Sequence, residues 1–311
     1  MPNRLSHPPP PAGLTVLERG WLSSNNVLLH GGEAGDVLVD SGHLCHAGQT
    51  VVLVRHALQG RALAGVVNTH LHSDHCGGNT ALRRAFGGWN LIPPGLWDAV
   101  QAWDEAALSY SVLGQRCERF EATGKLCPGE TLAVGKRRWQ ALAAPGHDPH
   151  SLILFDPADG IVLTADALWE RGFGVVFPEL DGEGAFDDVA RVLDLIESLD
   201  ARLAIPGHGA PFGDLPAALA RARQRLDGFR ADPNRHTRHA VKALIKFHLL
   251  EQQQLPWAEL MEWFTSVPLY RAVWQRLGRP DGSLQAYGER VVADMAGAGV
   301  LAVREGVVHD H

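Results

Sequence analysis

The sequence predicts a mixed α/β or α+β fold, and three observations lead to that fold class. Short β-like runs recur over the first two thirds of the chain. Helical patterns lie between these runs, so strands and helices alternate within one unit. After Leu215 the pattern changes to a succession of helices, which predicts a second, mainly helical unit.

The first elements come before the most unusual stretch of the sequence. Gly31-Gly32 separates two strand-like runs and indicates a hairpin between them. Val51, Val54 and Leu58 have helical spacing. The elements predicted in this part are strands over residues 14–17, 26–30 and 36–39, a helix over 46–58 and a buried strand over 64–68.

The remaining elements follow the same alternation and then become helical. Residues 94–113 are predicted to be helical and contain Trp97, Trp103 and Tyr110, which either pack in the core or a lid or contact the substrate directly. The other predictions up to residue 205 are helices over 80–86 and 187–199 and strands over 139–143, 152–155, 161–164 and 203–205. Beyond them we predict helices over 215–230, 236–252, 256–265, 269–277 and 283–298, and a hairpin over 300–309.

Residues 70–75 have the pattern H-x-H-x-D-H, which is too dense in metal-ligand side chains to be an ordinary core or surface segment. Because side chains two residues apart in an extended segment point to the same face, His70 and His72 can reach one ion together. The potential ligands are His70, His72, Asp74, His75, His147, Asp166 and His208. This set is large enough for two metal ions, which are typical of hydrolytic sites.

The sequence resembles the metallo-β-lactamase fold superfamily, in its glyoxalase II-like branch, over roughly residues 14–212. The motifs that carry the resemblance, besides H-x-H-x-D-H, are Val37-Leu38-Val39-Asp40-Ser41-Gly42, Pro145-Gly146-His147, Thr164-Ala165-Asp166 and Pro206-Gly207-His208-Gly209. It implies an α+β chain with a four-layer αββα sandwich. The helices and hairpin at the end look like a winged-helix domain. We therefore expect a proline-rich tail over residues 1–12, a metallo-β-lactamase-like hydrolase domain over 13–231 and a winged-helix-like domain over 232–311.

The resemblance also implies how the ligands divide between two metal ions. It assigns His70, His72 and His147 to the first ion, Asp74, His75 and His208 to the second, and Asp166 to both. Asp40 would lie behind the ligands and orient their loop, although a strand-ending turn is the alternative interpretation. Imidazole and carboxylate ligands favour two zinc ions, with iron or manganese as alternatives.

We expect a hydrolase in which a hydroxide that bridges the metal ions attacks a small carbonyl substrate, such as a thioester, lactone or ester. Asp74 and Asp166 are the expected catalytic carboxylates. One alternative is a nuclease or phosphodiesterase that binds single-stranded nucleic acid through Arg238, Lys242 and Lys246, which share a helix face. Another alternative is a metal-binding protein with only promiscuous hydrolysis.

Composition narrows the remaining possibilities. The net charge of −7 gives no overall case for nucleic-acid binding, although it allows a local basic patch. Four cysteines in 311 residues are too few for a disulfide framework. No signal peptide or membrane-spanning run is recognised, so we expect a cytoplasmic protein without membrane contacts. An oligomer that forms through the C-terminal domain remains possible.

A few residues near the motifs have two interpretations. Cys76 directly follows the ligand run, and it is either a packed core residue or a neighbour of the metal site. Arg171 and Phe173 lie in the glycine-rich loop after Asp166 and are candidates for the wall of the pocket. His43 and His46 are interpreted as residues at the start of a helix and not as ligands.

Overall fold

The computed structural model describes residues 11–310. The tail predicted for residues 1–12 therefore lies outside the described residues except for its last two positions. Two large β-sheets and a small third sheet account for the strands, and helices cover the outer faces of the large sheets. None of the described helices is long and apolar enough to cross a membrane.

The N-terminal sheet contains six strands in the order of the chain. They are β1 (Leu14–Leu17), β2 (Asn26–Leu29), β3 (Asp36–Val39), β4 (Leu63–Val67), β5 (Trp89–Ile92) and β6 (Gly124–Lys125). β1, β2 and β3 are antiparallel neighbours, whereas β3 to β6 run parallel. Parallel strands end at the same edge of a sheet, so the loops after β3 and β4 emerge side by side.

The second sheet contains five strands. They are β7 (Thr131–Val134), β8 (Arg137–Ala143), β9 (Leu152–Asp156), β10 (Ile161–Ala165) and β11 (Leu203–Pro206). The spatial order is β11-β10-β9-β8-β7, and only β10 and β11 run parallel. The carboxyl ends of β10 and β11 are therefore adjacent, as are those of β3 and β4 in the first sheet.

The sandwich part of the chain contains eight of the described α-helices. They are α1 (Ala47–Leu58), α2 (Ser73–Cys76), α3 (Asn79–Phe86), α4 (Trp97–Ala102), α5 (Tyr110–Leu113), α6 (Phe177–Asp181), α7 (Phe186–Ser198) and α8 (Leu215–Ala231). α1 and α3 pack on the first sheet, where Val54 and Leu82 join the core around Leu38. α7 and α8 pack on the second sheet, where Leu193 and Leu219 meet Val162.

The inner faces of the two sheets share a third apolar core. Leu29 and Val39 from the first sheet pack with Trp139 and Leu154 from the second, and all four are almost completely buried. The layers therefore run helix, sheet, sheet, helix, and the predicted α+β fold with a four-layer αββα sandwich is confirmed. Burial of these faces is the main stabilising contribution, at about 25 cal/mol per Å² of apolar surface.

The C-terminal region is helical with a small sheet. It contains α9 (Pro233–Gln252), α10 (Trp257–Ser266), α11 (Pro268–Arg276), α12 (Leu284–Gly297), β12 (Gln254–Pro256), β13 (Leu301–Arg304) and β14 (Val307–Asp310). Asp232 separates α8 from α9, and its side chain accepts a hydrogen bond from the backbone N–H of Arg235. The core of this region, which includes Ile245 and Phe264, continues onto α5 and α6 through Leu113 and Leu180. The boundary at residues 231 and 232 and the winged-helix assignment stay predictions.

Two sequence predictions of local structure were wrong, and several strands were missed. Residues 94–113 do not form one helix, because Trp103 and Ser109 adopt left-handed backbone conformations with φ of 56° and 67°. α9 begins at Pro233, earlier than predicted, because proline is well suited to the first helical turn. Several short strands were not predicted, namely β5, β6, β7 and β12, the last of which pairs with the predicted C-terminal hairpin.

Candidate metal centre

Loops at one edge of both sheets bring the predicted ligands together. Asp40 directly follows β3, and the H-x-H-x-D-H run follows β4. Asp166 directly follows β10, and His208 lies two residues beyond β11. His147 lies in the loop between β8 and β9. A rigid strand therefore leads into each functional loop, which is the usual way to hold a preorganised site.

Backbone hydrogen bonds between these loops fix the two sheets relative to each other. The N–H of Leu152 donates to the carbonyl of Thr69 at 2.8 Å, which joins β9 to the loop after β4. The N–H of Asn25 donates to the carbonyl of Gly207 at 2.6 Å, which joins the segment before β2 to the loop of His208. The ligand loops are thus tied across the sandwich.

The first group of potential ligands consists of His70, His72 and His147, each of which offers one ligand atom within 4.8 Å of the others. Nδ1 of His72 lies 2.8 Å from Nε2 of His147. Nδ1 of His147 donates to the carbonyl oxygen of Val175 at 2.6 Å, so its Nε2 is left to face the group. Nε2 of His70 is buried and has no hydrogen-bond partner.

The second group consists of Asp74, His75 and His208, again with ligand atoms within 4.8 Å of one another. Nε2 of His208 lies 3.0 Å from Oδ2 of Asp74, and Nε2 of His75 lies 3.8 Å from the same oxygen. All three residues are buried. Buried polar atoms normally have hydrogen-bond partners, so the unpaired His70 and His75 nitrogens point to a ligand that the protein itself does not supply.

Asp166 lies between the two groups. Its Oδ2 is 3.4 Å from Nε2 of His147, and its Oδ1 is 3.4 Å from Nε2 of His75. The ligand atoms of a tetrahedral zinc site with bonds of about 2.1 Å are roughly 3.4 Å apart. Oδ2 of Asp166 is therefore at the distance from His147 that is expected for two ligands of one metal ion. Oδ1 is at the same distance from His75.

The backbone around Asp166 is specialised for this position. Ala165 has a left-handed φ of 45°, which is unusual for a residue other than glycine and marks a locally strained turn. Gly207 packs directly against the carboxylate, since a Cβ atom there would lie 2.2 Å from Oδ1 of Asp166. Only glycine therefore permits this close approach.

Asp40 contacts the potential ligand His75 and the loop of His70 through its side chain. Its Oδ1 accepts the backbone N–H of Thr69 at 2.8 Å, and its Oδ2 accepts the Thr69 hydroxyl, also at 2.8 Å. The same Oδ2 lies 2.8 Å from Nδ1 of His75, so Nε2 of that ring points into the cluster. Asp40 itself has a φ of 59°, a conformation that aspartate tolerates better than most residues.

Electrostatics favour the protonation states that metal ligands require. Burial, together with His75 and His72, holds the pKa of His70 well below its ordinary value. Burial and the neighbouring His147 lower the pKa of His72 to about 4. Although burial opposes ionisation of Asp74, its contacts with His75 and His208 lower the pKa of that carboxyl to about 2. Neutral imidazole and ionised carboxylate are the forms that coordinate a cation.

His75 departs from this pattern in an informative way. Burial favours its neutral form, but the carboxylates of Asp40, Asp166 and Asp74 raise its pKa well above the ordinary value. The carboxylates therefore create a strong local preference for positive charge, which a divalent cation would also satisfy.

A cavity of about 270 Å³ opens onto the cluster. Its wall is largely apolar, and its polar groups include Gln115, Arg225, His239 and Lys246. The aromatic part of the wall consists of Trp21, Trp169, Phe173, Phe177 and Phe247. α9 thus forms part of the wall, although it comes from the C-terminal region. Small-molecule sites commonly combine an apolar wall with a few polar groups in this way.

The structure gives different outcomes for the other sequence candidates. Phe173 is buried and lines the cavity, whereas Arg171 is exposed and does not. Cys76 is fully buried, and its thiol lies 3.1 Å from the hydroxyl of Tyr110. Trp103 packs in the same apolar cluster as Cys76 and Tyr110 and does not line the 270 Å³ cavity. His43 belongs to none of the ligand groups found among the described residues.

Sequence reasoning missed several residues that position the site. The side-chain amide of Asn25 donates to the carbonyls of Pro206 and Gly209, at 3.0 and 2.7 Å, and so fixes the loop of His208. The indole N–H of Trp169 donates to Oδ1 of Asp166 at 3.3 Å. The ring of Trp21 stacks on His208 with ring centres 5.5 Å apart. A tryptophan three residues after Asp166 is a signal that could have been noticed, but the other contacts depend on the fold.

Comparisons with known proteins agree with this geometry. The sequence profile described as Metallo-beta-lactamase superfamily matches residues 19–208. A protein named hydroxyacylglutathione hydrolase from Synechococcus sp. is 28% identical over 148 residues, which cover 48% of this chain and only 50% of that protein. A protein of the same name from Chromohalobacter salexigens is 28% identical over 211 residues, which cover 67% of this chain and 71% of that protein.

A solved structure extends the similarity of fold to the C-terminal region. The crystal structure of a metallo-beta-lactamase family protein from Thermus thermophilus superimposes with a TM-score of 0.53 at 21% sequence identity. The match covers 96% of this chain and 99% of the other. At this level of identity the comparison shows a shared fold that includes the helices after the sandwich.

Proposed function

This chain belongs to the metallo-beta-lactamase superfamily, and from that premise we propose that it is a metal-dependent hydrolase with two metal ions in its buried cluster. The observation that carries the proposal is the position of Asp166. Its two oxygens each lie 3.4 Å from a histidine nitrogen of a different ligand group. A carboxylate in this position joins two sites that share one edge of the sandwich.

The proposed ligands follow from the two groups. The first ion would be held by His70, His72 and His147, the second by Asp74, His75 and His208, and both by Asp166. Asp40 would act through His75, because its hydrogen bond fixes which nitrogen of that ring faces the ion. With Asp166, each ion would have four protein ligands, and water or substrate would add a fifth, a coordination number that catalytic zinc can reach.

Two divalent ions, when bound, supply Lewis acidity and a hydroxide nucleophile at neutral pH. The chain's own residues would position and shield this chemistry. Asp166 sets the separation of the two groups, and Trp169 holds one of its oxygens through the indole N–H. Asp74 is oriented by His208 and faces the cavity, where it is placed to accept a proton. The aromatic wall restricts water around the reacting carbonyl.

We propose zinc as the metal, with iron and manganese as alternatives. The ligand set contains five histidines and two aspartates but no thiolate. Imidazole and carboxylate suit zinc, iron and manganese, and soft thiolate-dependent metals are disfavoured.

The proposed substrate is a small carbonyl compound, such as a thioester, lactone or ester. A cavity of about 270 Å³ with a mainly apolar wall suits a small acyl compound. The name shared by the relatives, hydroxyacylglutathione hydrolase, supports hydrolysis of an acyl group.

The nucleic-acid alternative receives little support from the described residues. Arg238 forms an ion pair with Asp232 at 2.9 Å, and Lys246 forms one with Asp310 at 2.6 Å. These contacts neutralise much of the predicted basic stripe, so it is a weak candidate for phosphate binding.

The proposal is tested with protein that has been purified without chelator and analysed for metal. The sample is assayed with a thioester, a lactone and a single-stranded RNA, the last at low and high salt. We expect carbonyl-substrate turnover that is lost in Asp74→Asn and retained in Asp98→Asn, an exposed acidic control on α4. RNA cleavage that collapses as salt rises, without carbonyl turnover, would contradict the proposed substrate class. Metal uptake without turnover of any substrate would instead indicate a metal-binding protein.

A further inference from the structure

One cationic side chain in the cavity is held in an unusual way. Arg225, on α8, lines the same cavity as Asp74 and Asp166. Its guanidinium lies over two aromatic rings, 5.4 Å from the centre of Phe173 and 5.3 Å from that of Phe229. Contacts of this kind hold a guanidinium in place without neutralising its charge.

The loop that follows Asp166 also shapes the position of Arg225. Gly172, which follows Asp166 in the same loop, has a φ of 136°, and a Cβ atom there would lie 2.9 Å from Nη1 of Arg225. Trp169, at the start of that turn, donates to Asp166. One loop therefore contacts both Asp166, a proposed metal ligand, and the guanidinium of Arg225. These contacts fix the positions of the two side chains relative to each other across the cavity.

The remaining contact of Arg225 is with a neutral partner. Its Nη2 donates to Nε2 of His239 at 2.6 Å. Partial burial and the positive charges of Arg225 and Arg235 lower the pKa of His239 to about 4, so the ring is neutral at pH 7 and can accept this bond. Burial also lowers the pKa of Arg225, and no carboxylate of the described residues raises it.

Two other arginines of α8 have acidic partners, and a third, Arg221, is exposed and donates to the backbone carbonyl of Glu170. Arg223, two residues away on α8, contacts Asp194 and Glu197 at 2.7 Å each. Arg230 is paired with Asp187. Placing a cation in a partly buried wall without a counter-ion costs free energy, which a bound anion would offset. Among the arginines of α8, Arg225 is thus the one that lines the cavity and has no acidic partner there, so it can receive a negative charge from outside the protein.

We infer that Arg225 binds an anionic end group, a carboxylate or a phosphate, on an acyl substrate whose carbonyl lies at the metal cluster. The inference rests on the proposed function and narrows its substrate class to acyl compounds with an apolar middle and a charged end. The planar guanidinium offers two parallel N–H donors, which match the oxygens of a carboxylate or phosphate. The aromatic and aliphatic wall between the cluster and Arg225 would contact the apolar middle.

The test compares matched thioesters with the metal-loaded protein. One is the mono-thioester of adipic acid, the second has a primary amide in place of its free carboxylate, and the third ends in a phosphate monoester. In Arg225→Gln, we expect kcat/KM to fall roughly 10- to 100-fold for the charged substrates, mainly through KM, and less than about threefold for the amide. Arg225→Lys should recover part of the loss, and Arg223→Gln serves as the control outside the cavity.

Comparison of the carboxylate and phosphate substrates identifies which anion Arg225 binds. The kcat/KM for that substrate should fall more in Arg225→Gln than the kcat/KM for the other. An equal loss for charged and neutral substrates would show that Arg225 only supports the fold, and would overturn the inference. The absence of any preference of the wild type for a charged end group would also overturn it.

Measuring the binding of analogues that cannot be hydrolysed allows this inference to be tested separately from the proposed function. Thioether analogues, in which a methylene replaces the carbonyl, cannot be hydrolysed, and their binding is followed by the fluorescence of Trp21 and Trp169 in the cavity wall. If no thioester is turned over but the carboxylate thioether binds 10- to 100-fold more weakly to Arg225→Gln, roughly as above, the proposed reaction fails and the anion site stands. Binding of that thioether that does not depend on Arg225 would place the carboxylate on the metals and overturn the inference.

Discussion

The ligand cluster and the cavity wall that faces it are built in different ways. The seven potential ligands come from loops at strand ends and from the short helix α2, and backbone hydrogen bonds tie these loops across the sandwich. The facing wall draws Arg225 from α8 and His239 and Phe247 from α9, which are surface positions of helices. Under the proposed function, the chemistry is therefore attached to a part of the fold that both sheets hold in place. We expect selectivity to depend on the helices, which can vary without disturbing that part.

Removal of the carboxylate between the two groups should have the largest effect. Asp166→Ala deletes a ligand for both proposed ions, and metal ions contribute several kcal/mol to stabilisation of the transition state. At a factor of ten for each 1.36 kcal/mol, we expect kcat/KM to fall by roughly 10³-fold or more. Elemental analysis of the same sample should show less metal per chain.

The control for this variant is a change in the facing wall. Phe247→Leu alters the cavity but no ligand, so it should keep full metal content. Equal loss of metal in both variants would remove the distinction between the two regions.

The residue behind the cluster should have a smaller effect. Asp40→Asn keeps an oxygen for the N–H of Thr69 but weakens the contact with Nδ1 of His75. Loss of such a supporting contact typically lowers metal affinity or activity about 10- to 100-fold. Competition with a chromogenic chelator measures the affinity, and an unchanged value would mean that Asp40 only ends a strand.

The contact between α9 and the segment before α6 is expected to make the free energy of unfolding depend on pH. His236, at the start of α9, accepts a hydrogen bond from the N–H of Val176 at 3.1 Å and is 1% exposed. Burial, with His239 and Arg225, lowers its pKa from 6.5 to about 4. The unfolded chain therefore binds a proton that the folded chain does not, and stability is complete above the unfolded pKa and lost as the pH falls toward 4.

This dependence can be isolated by a difference measurement. Between pH 7 and pH 5 the free energy of unfolding should fall by roughly 2 kcal/mol more in the wild type than in His236→Gln. Urea unfolding of metal-free protein at both pH values gives the comparison, and the cluster histidines contribute equally to the two proteins. Parallel pH dependence in both would show that His236 is not the responsible group.

The smallest effect on activity is expected for Trp169, which lies in the cavity wall and donates a hydrogen bond to Asp166 of the ligand cluster. Trp169→Phe keeps an aromatic ring in the wall but removes the N–H that donates to Asp166 at 3.3 Å. A hydrogen bond to a charged group contributes about 1.5 kcal/mol or more, so kcat should fall roughly tenfold. Trp97→Phe, outside this cavity, is the matched control and should change kcat less than about twofold. Equal kcat values in the two variants would contradict a positioning role for Trp169.

The two regions also differ in how much of them the sequence predicts. H-x-H-x-D-H and the small-residue motifs around His147, Asp166 and His208 are local patterns, so the cluster and the strands that lead to it could be predicted. The short strand β5 has the sequence Trp89-Asn90-Leu91-Ile92, in which apolar and polar residues do not alternate regularly, so it was missed.

The break within residues 94–113 was missed for a different reason. It depends on left-handed backbone at Trp103 and Ser109, which neither residue type indicates. The counter-ion of an arginine is likewise set by tertiary structure. Nothing local distinguishes Arg225, over its two phenylalanine rings, from the paired Arg223 on the same helix.

The most direct test of the central claim is the number of metal ions per chain in the wild-type protein. Protein purified without chelator, and then reloaded with zinc and desalted, is analysed by elemental mass spectrometry against protein concentration. The position of Asp166 between two ligand groups predicts two ions per chain. One ion per chain, or none after reloading, would contradict the dinuclear site and the mechanism that depends on it.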